Sequence, residues 1–352
     1  MKKRRFFIVS ICIALLVVSI LIVTIRPKHQ VLYKVTYLTS LGGEFTLPCS
    51  INDKGQIAGF SEVSKGNYHL FLWDREKEMQ DLGPVVNNQI HINNAGQIAA
   101  TMQDPNGNYR AFIWEPNHSK RVLPTLDGKT SISHGINNHG QVVGAAETAT
   151  GLLHACVWNS ATEIHDLTPS SKKRTRARSI NDAGQAVVFV LGAARLLVDA
   201  NECATSTSQP IPVIGNKINS NGYVAGFVQV GPGKYDIRLW HSELGMTPQF
   251  NVDLPAALEI NDVNQIGYTK GRQPKFRIFG RPFFTTAAKS YLHDPKRGRL
   301  SLNKYVSVGP HEDLCLTDLN NKGCLVGAVQ SRKHSRSRGV LLEPIPEQWK
   351  ME

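Results

Sequence analysis

Three groups of basic residues have types and spacing that favour the binding of anions. The first lies at residues 172–178, the second at 270–281 and the third at 332–338. Their members are Lys172, Lys173, Arg174, Arg176 and Arg178; Lys270, Arg272, Lys275, Arg277 and Arg281; and Arg332, Lys333, His334, Arg336 and Arg338. A concentrated field of one sign steers anions toward a surface. The groups therefore predict a binding site for an anionic partner. The alternative is that they are solvated loops that keep the protein soluble.

Local signatures of catalysis are absent from the sequence. It contains no GxSxG, HExxH, GxxxxGK[ST], GxGxxG or CxxC motif. Four carboxylates are the first candidates for acid–base chemistry, and we expect them in connections between structural repeats: Asp253, Glu259, Glu312 and Asp313. The absence of motifs favours a non-catalytic binding protein. A hydrolase or lyase that acts on an envelope glycan remains the alternative, because its carboxylates can come from separate repeats.

The elements that position these residues are copies of one motif, Ile-Asn-x-x-Gly. Seven copies begin at Ile51, Ile92, Ile136, Ile180, Ile218, Ile260 and Leu319. Asn can hydrogen-bond its own backbone, and Gly accepts a positive φ, so each copy predicts a tight turn between two strands. In the sixth copy Asn264 replaces the Gly, and Asn is the next best residue for the left-handed region.

A second signature follows four of the copies at a constant distance. Trp73 follows Ile51 by 22 residues, and the same spacing gives Trp114, Trp158 and Trp240. Successive copies begin 38 to 59 residues apart, and β repeats of about 40–45 residues are typical of propellers. The sequence therefore predicts an all-β fold, a seven-bladed β-propeller. A stacked β-solenoid is the alternative.

The two ends of the repeat region predict how the ring closes. The seventh copy has three strands and then a Pro-containing tail, whereas residues 33–42 look like a fourth strand with nothing before it. Pairing these two segments would remove an exposed sheet edge. We therefore expect the N-terminal strand to complete the last blade.

The repeat resembles the HAF family of probable extracellular repeats, which is named for a His-Ala-Phe triplet. The resemblance rests on Ile-Asn-x-x-Gly-Gln-Ile-x-Gly, on His69-Leu70-Phe71-Leu72-Trp73 or His154-Ala155-Cys156-Val157-Trp158, and on Asp81-Leu82-Gly83. It covers about residues 38–343, although Arg110 replaces the His in the second copy. The family implies an exported bacterial protein with a β-repeat fold and supplies no functional residues.

The first thirty residues differ from the rest of the chain. Lys2, Lys3, Arg4 and Arg5 precede an uncharged, mostly apolar run over residues 6–25. About twenty helical residues span the hydrocarbon core of a bilayer, and no small-residue cleavage site follows. We expect residues 1–30 to be a basic cytosolic stub and a single-pass anchor, and residues 31–352 to be the exported repeat domain. A cleaved signal peptide is the alternative.

Other residue types have structural interpretations. The motif Asn residues are explained by turn formation, and the Trp residues by packing between blades. Five cysteines follow the predicted span and none forms a CxxC pair, so we expect isolated buried thiols, no metal site and no cofactor. Up to two disulfides are the alternative.

These observations predict a membrane-anchored, exported and non-catalytic scaffold. Its formal net charge of +12 favours anionic partners, which are an anionic glycan, a lipid head group or an acidic protein. We do not expect nucleic acid as a partner, because the predicted location of the repeat domain is extracellular or periplasmic.

Overall fold

The computed structural model describes residues 32–346, except 87, 193–194, 203–207, 233, 254, 271–276, 279–280, 283–287, 307, 310 and 332–335. The chain divides into two compact units, Val35–Glu343 and a smaller one formed by Met1–Lys34 with Pro344–Glu352. In the smaller unit, Ile345 N donates to Leu32 O at 2.9 Å. The predicted span, residues 6–25, lies outside the described residues. Within the part that is described, no helix is long and apolar enough to cross a membrane.

Seven four-stranded antiparallel sheets form the large unit, and each corresponds to one copy of the motif. We number the sheets as blades 1 to 7. Blade 1 contains β2 (Thr46–Ile51), β3 (Ile57–Ser64), β4 (Asn67–Asp74) and β5 (Glu78–Pro84); blade 2 contains β6 (His91–Ile92), β7 (Ile98–Gln103), β8 (Tyr109–Trp114) and β9 (Lys120–Val122); blade 3 contains β10 (Asp127–Ile136), β11 (Val142–Thr148), β12 (Leu153–Trp158) and β13 (Ile164–Asp166).

The remaining blades follow the same order, except that blade 6 contains an inserted hairpin and the fourth strand of blade 7 comes from the N-terminal part of the chain. Blade 4 contains β14 (Thr175–Ile180), β15 (Gln185–Val190), β16 (Arg195–Asp199) and β17 (Gln209–Ile211); blade 5 contains β18 (Ile214–Ile218), β19 (Val224–Gly231), β20 (Lys234–His241) and β21 (Gly245–Asp253); blade 6 contains β22 (Pro255–Ile260), β23 (Ile266–Lys270), β26 (Lys289–Asp294) and β27 (Gly298–Ser301), with the hairpin β24 (Arg277–Ile278) and β25 (Arg281–Pro282) inserted; blade 7 contains β28 (Glu312–Leu319), β29 (Leu325–Ser331), β30 (Ser337–Pro344) and β1 (Tyr33–Tyr37). A 3₁₀ helix spans Leu302–Lys304. The prediction of a seven-bladed propeller is confirmed.

Closure of the ring also follows the prediction. The strand order of blade 7 is β1-β30-β29-β28, so the N-terminal strand is its outer strand. Leu38 N continues the pairing by donating to Gly339 O at 2.9 Å. The first and last parts of the large unit therefore complete one sheet.

The motif turns have the geometry that their residue types require. In the first copy Gly55 N donates to Asn52 O at 3.0 Å, and Gly55 has a φ of 82°. Asn264, which stands in place of the Gly in the sixth copy, has a φ of 59°. The replacement is tolerated because Asn enters the left-handed region more readily than most residues.

Apolar side chains fill the space between blades. Trp73 packs with Ile51 and Ile57 of its own blade and with Val326 and Leu341 of blade 7. Trp114, Trp158 and Trp240 are equally buried. The prediction that the Trp residues are core residues is confirmed, because both faces of each blade are covered by a neighbour.

The first strand of each blade is the innermost one, and it carries a recurrent irregularity. The pairing of strands one and two shifts register in blades 1, 3, 4, 5 and 7, just before the motif Ile or Leu. A bulge of this kind re-aims the side chains beside it. We call the end of the unit that carries the Asn-x-x-Gly turns the turn face, and the opposite end, where the chain passes between blades, the link face.

The structure corrects the expected positions of the four candidate carboxylates. Asp253 is the last residue of β21, Glu259 lies in β22, and Glu312 and Asp313 begin β28. They are strand residues, and do not lie in connections between repeats. The strands extend further toward the link face than the short apolar runs of the sequence indicated.

Candidate functional site

The seven motif asparagines form a closed circle of hydrogen bonds, which we call the asparagine ring. Each Nδ2 donates to the backbone oxygen of the asparagine in the next blade at 2.9–3.1 Å, and Asn320 returns to Asn52 at 2.9 Å. The members are Asn52, Asn93, Asn137, Asn181, Asn219, Asn261 and Asn320. Each Oδ1 accepts from the backbone N–H four residues later. Turn formation is therefore only half of their role, because the amide nitrogens join the blades.

The asparagine ring surrounds a small axial cavity at the turn face. The cavity has a volume of about 170 Å³ and is lined by the motif Ile or Leu, the Asn and the residue that follows in every blade. Three of those following residues are carboxylates, Asp53, Asp182 and Asp262. They accept hydrogen bonds from Asn94, Asn138 and Asn321. These carboxylates are therefore hydrogen-bonded to amide side chains of neighbouring blades. The contacts at the mouth of the cavity are those that join one repeat to the next.

One residue earlier in each innermost strand lies a second ring, which we call the variable ring because its residue type changes from blade to blade. Its members, from blade 1 to blade 7, are Ser50, His91, Gly135, Ser179, Lys217, Glu259 and Asp318. In three blades the side chain accepts from the backbone of the next blade: Ile92 N donates to Ser50 Oγ at 3.3 Å, Ile218 N to Ser179 Oγ at 3.3 Å, and Ile51 N to Asp318 Oδ2 at 2.9 Å.

Three consecutive members of the variable ring are charged. Lys217 Nζ lies 2.8 Å from Glu259 Oε2, and the two side chains are only 26% and 14% exposed. Asp318, in the next blade, also accepts from Ser50 Oγ at 2.8 Å and from Leu319 N at 2.9 Å. We call Lys217, Glu259 and Asp318 the charged arc. Of these three residues, only Glu259 was a candidate from the sequence.

Burial dominates the electrostatics of the charged arc. It raises the pKa of Glu259 to about 7, although Lys217 opposes the shift. Burial likewise raises the pKa of Asp318 against the effect of Lys217. For Lys217 burial would lower the pKa, but the carboxylates of Glu259 and Asp318 outweigh it and raise the pKa. Burial and the charge of Lys217 together hold the pKa of His91 well below its usual range.

A second candidate surface is the link face of blade 4, where one predicted basic group lies. Lys172, Lys173 and Arg174 are exposed just before β14, and none of them forms an ion pair with a described residue. Arg176 and Arg178 continue the series along β14. This basic group therefore begins at the link face and continues along the innermost strand of blade 4.

An aromatic ring lies beside these cations. Arg176 and Arg195 stand 5.8 Å and 5.4 Å from the centre of the Phe189 ring. Strand pairing explains the arrangement, because Phe189 is the register partner of both arginines. Burial lowers the pKa of Arg195. The acidic residues of blade 4, Asp182, Asp199 and Glu202, lie at the other end of its strands.

The other two basic groups are described only in part. Arg336 forms an exposed ion pair with Glu44 at 2.6 Å. Arg338 contacts Glu312 at 3.1 Å and lies 4.9 Å from the centre of the Tyr37 ring. Lys270 ends β23, and the backbones of Arg277 and Arg281 form the inserted hairpin. Arg272, Lys275, Arg332, Lys333 and His334 lie outside the described residues.

The histidine of the third strand belongs to a local pair. His69 Nδ1 lies 2.9 Å from Asp81, and His154 Nδ1 lies 2.7 Å from Asp166. In blade 2, Arg110 occupies the same position and contacts Asp104 at 3.2 Å. The His of the third strand and the Asp of the fourth strand therefore contact each other within the same blade.

The cysteines and metal-binding residue types form no cluster in the part of the chain that is described. Cys49, Cys156, Cys315 and Cys324 are free thiols, and burial raises the pKa of Cys315 to about 12. No group of three or more His, Cys, Asp or Glu residues among the described positions could hold a metal ion.

Comparison with known proteins identifies the fold and no family. No protein-family model matches the chain, and no characterised protein matches it by sequence. The resemblance to HAF repeats therefore stays a prediction.

Solved propellers are similar in structure. A catalytically inactive virginiamycin B lyase from Staphylococcus aureus, solved with quinupristin, has a TM-score of 0.51 at 11% identity and matches 89% of this chain and 100% of its own. The propeller domain of the Trilobed protease from Pyrococcus furiosus has a TM-score of 0.52 at 9% identity, over 84% and 94% of the two chains. The WD40 propeller of Doa1 has a TM-score of 0.52 at 10% identity, over 90% and 99%. At these identities the comparisons show the propeller fold alone.

Proposed function

We propose that this propeller is a non-catalytic scaffold that binds an acidic glycan through the link face of blade 4. The observation that carries the proposal is the run of exposed Lys172, Lys173 and Arg174, which have no ion-pair partner among the described residues. In contrast, Arg336 and Arg338 are already paired with Glu44 and Glu312. Cations without an internal counter-charge are the ones that attract an anion from solution.

The geometry of blade 4 favours a linear, repeating anion. Lys172, Lys173 and Arg174 precede β14 directly, and Arg176 lies near its start, so these cations form an extended group rather than a point. Phe189, half-buried between Arg176 and Arg195, adds an apolar ring beside that group. Cations together with an aromatic ring suit a sugar acid, whose ring has apolar C–H groups and whose carboxylate is charged.

The location of the scaffold forms part of the same proposal. Support comes from the sequence, in which Lys2, Lys3, Arg4 and Arg5 precede the apolar run 6–25. That arrangement favours an anchor with the propeller on the exported side. An acidic envelope polymer would then be the accessible partner.

The test is binding of the full-length protein to polygalacturonate as the probe, measured by calorimetry at several salt concentrations. The variant Lys172→Glu/Lys173→Glu reverses two exposed charges and should weaken binding about tenfold or more. The matched control, Lys54→Glu/Lys322→Glu, makes the same change in charge at exposed positions of the turn face. Its affinity should change much less, because screening limits the reach of a charge to about 10 Å.

Three results would overturn the proposal. One is an equal loss of affinity in both variants, which would show that net charge alone attracts the polymer. Another is binding of poly-L-glutamate in preference to polygalacturonate, which would assign the surface to an acidic protein. Affinity that does not fall as salt rises would also contradict an electrostatic site.

A further inference from the structure

The symmetry of the repeat shows which side chains of the variable ring the fold requires. Ser50 and Ser179 accept a hydrogen bond from the innermost strand of the next blade. A serine is therefore sufficient to meet the polar needs of this position. Lys217 and Glu259 stand at the equivalent position in blades 5 and 6, where they bind each other at 2.8 Å. The architecture of the repeat does not explain this pair.

Stability does not explain the pair either. Removing two charges from water is unfavourable, and replacing a buried ion pair by apolar residues of similar volume is often neutral or stabilising. Strained or destabilising groups are retained where activity needs them. The charged arc therefore has the character of a functional site.

The members of the variable ring surround the axis of the propeller. In every blade the three residues that follow the ring member line the axial cavity, so the variable ring lies on the same innermost strands, beside that cavity. Lys217 and Glu259 keep 26% and 14% of their side-chain surface exposed although they lie on innermost strands.

Three of the four uncharged ring positions have small side chains. Gly135 occupies the ring position in blade 3, although its backbone does not need glycine: its φ is not positive, and an added Cβ would meet Ser179 Cα at an ordinary 3.5 Å. Ser50 and Ser179 stand in blades 1 and 4, and His91 is the one larger side chain. The ring thus has its charges in blades 5 to 7 and mostly small side chains in the other blades.

We infer that the charged arc binds a small zwitterion, a molecule that carries one ammonium and one carboxylate group, as free α-amino acids do. The ligand's carboxylate binds Lys217 Nζ, and its ammonium group binds Glu259 and Asp318. Each buried charge keeps a counter-charge when the ligand inserts. A simple anion would face the two carboxylates, and a simple cation would face the lysine, so neither satisfies the whole arc.

Two features support a small ligand held in a defined position. Asp318 is fixed by Ser50 Oγ, Ile51 N and Leu319 N at 2.8–2.9 Å. The neighbouring axial cavity of about 170 Å³ has the volume of roughly five or six water molecules in the liquid. The charged arc belongs to the innermost strands of blades 5, 6 and 7, so this site is distinct from the surface of blade 4.

The experiment uses saturation-transfer NMR on the full-length protein with three probes that each carry a methyl group: L-alanine, acetate and methylammonium. We expect transfer to the alanine methyl and a signal about tenfold weaker for the two half-ligands, because each lacks one charge-assisted contact. The double variant Lys217→Met/Glu259→Leu should lose the alanine signal. Gly135→Ala, at the same ring position in blade 3, adds a methyl group that meets only blades 3 and 4 among its nearest neighbours, and it should keep the alanine signal.

A second measurement separates binding from folding. The unfolding midpoint of Lys217→Met/Glu259→Leu should equal or exceed that of the wild type, whereas Lys217→Met alone should lower it, since it leaves the carboxylates without their counter-charge. A double variant that is as unstable as the single one would overturn the inference and make the pair structural. Equal transfer to all three probes, or none to alanine, would overturn it as well.

Discussion

The asparagine ring and the variable ring lie next to each other on the same seven strands, yet one is uniform and the other differs in almost every blade. In the asparagine ring, the same side chain makes the same two contacts seven times. In the variable ring the side chain is a hydroxyl, an imidazole, a hydrogen atom, an ammonium or a carboxylate.

The difference separates what the fold requires from what it allows. A position that meets its neighbour through the same hydrogen bond in every blade contributes a nearest-neighbour interface, on which a repeat protein depends for its stability. A position that varies while its backbone remains the same is available for binding. The following predictions test whether the two rings divide in this way.

The largest effect is expected in the asparagine ring. Asn137→Ala removes the donor to Asn181 O and Gln141 Oε1, together with the acceptor of His139 N and Gln141 N. Buried groups that lose their partners each destabilise by about 1 kcal/mol or more, so the free energy of unfolding should fall by about 4 kcal/mol. Urea unfolding followed by tryptophan fluorescence measures the change.

The control for this variant is the exposed side chain two residues along the same turn. His139→Ala leaves the backbone contact of the turn intact and should change the free energy of unfolding by less than about 0.5 kcal/mol. If Asn137→Ala were as mild as the control, the asparagine ring would not be the structural ring.

The next largest effect is the pH dependence that Glu259 confers. Its pKa is raised by burial to about 7 in the folded protein, so the folded state favours the neutral acid. The resulting stability is fully present below the ordinary pKa of about 4.5 and declines as pH rises toward 7. At about 1.4 kcal/mol for each pKa unit, the loss is about 3 kcal/mol.

Unfolding of the wild type and of Glu259→Gln, measured between pH 4.5 and 7.5, isolates this contribution. His91 titrates in the opposite sense: its pKa is lowered by burial and then by Lys217, so its contribution is lost as pH falls. That contribution is largely common to both proteins and cancels in the difference. The variant should gain stability relative to the wild type as pH rises, and a constant difference would contradict a raised pKa of Glu259.

The smallest effect is expected at Gly135 of the variable ring. Gly135→Ala adds a methyl group without backbone strain, and it should leave stability unchanged or raise it by up to about 1 kcal/mol. The same change at Gly140 meets a φ of +81° and Gln97 Oε1 at 3.1 Å, and should destabilise. The thermal unfolding midpoints of the two variants should therefore differ, because the backbone at Gly140 requires glycine and the backbone at Gly135 does not.

Much of the fold could be predicted because its causes are local and repeated. The Asn and Gly types define the turns, and the constant spacing of Trp73, Trp114, Trp158 and Trp240 defines the third strand of four blades. The closing strand was predictable as well, because the seventh copy had only three strands and residues 33–42 resembled a strand that belonged to no copy. These inferences need only the order of residues along the chain.

The charged arc was predictable only in part. Comparing the residue before each motif Ile would have shown Lys217, Glu259 and Asp318 in consecutive copies, so the signal was present in the alignment of repeats. That Glu259 belongs to an innermost strand, and that Lys217 lies beside it, depends on contacts between blades. The position of Arg176 and Arg195 on either side of Phe189 likewise follows from strand register, which the degenerate fourth copy obscured.

The pairing of the N-terminal strand β1 with β30 in blade 7 has a consequence for biosynthesis. The asparagine that closes the ring, Asn320, donates to Asn52, 268 residues away in the chain, and β1 is made before every residue it pairs with. Contacts this remote carry a large loop-closure entropy and form slowly. Until β30 has been synthesised, β1 has no partner in its sheet, and unpaired strand edges promote aggregation.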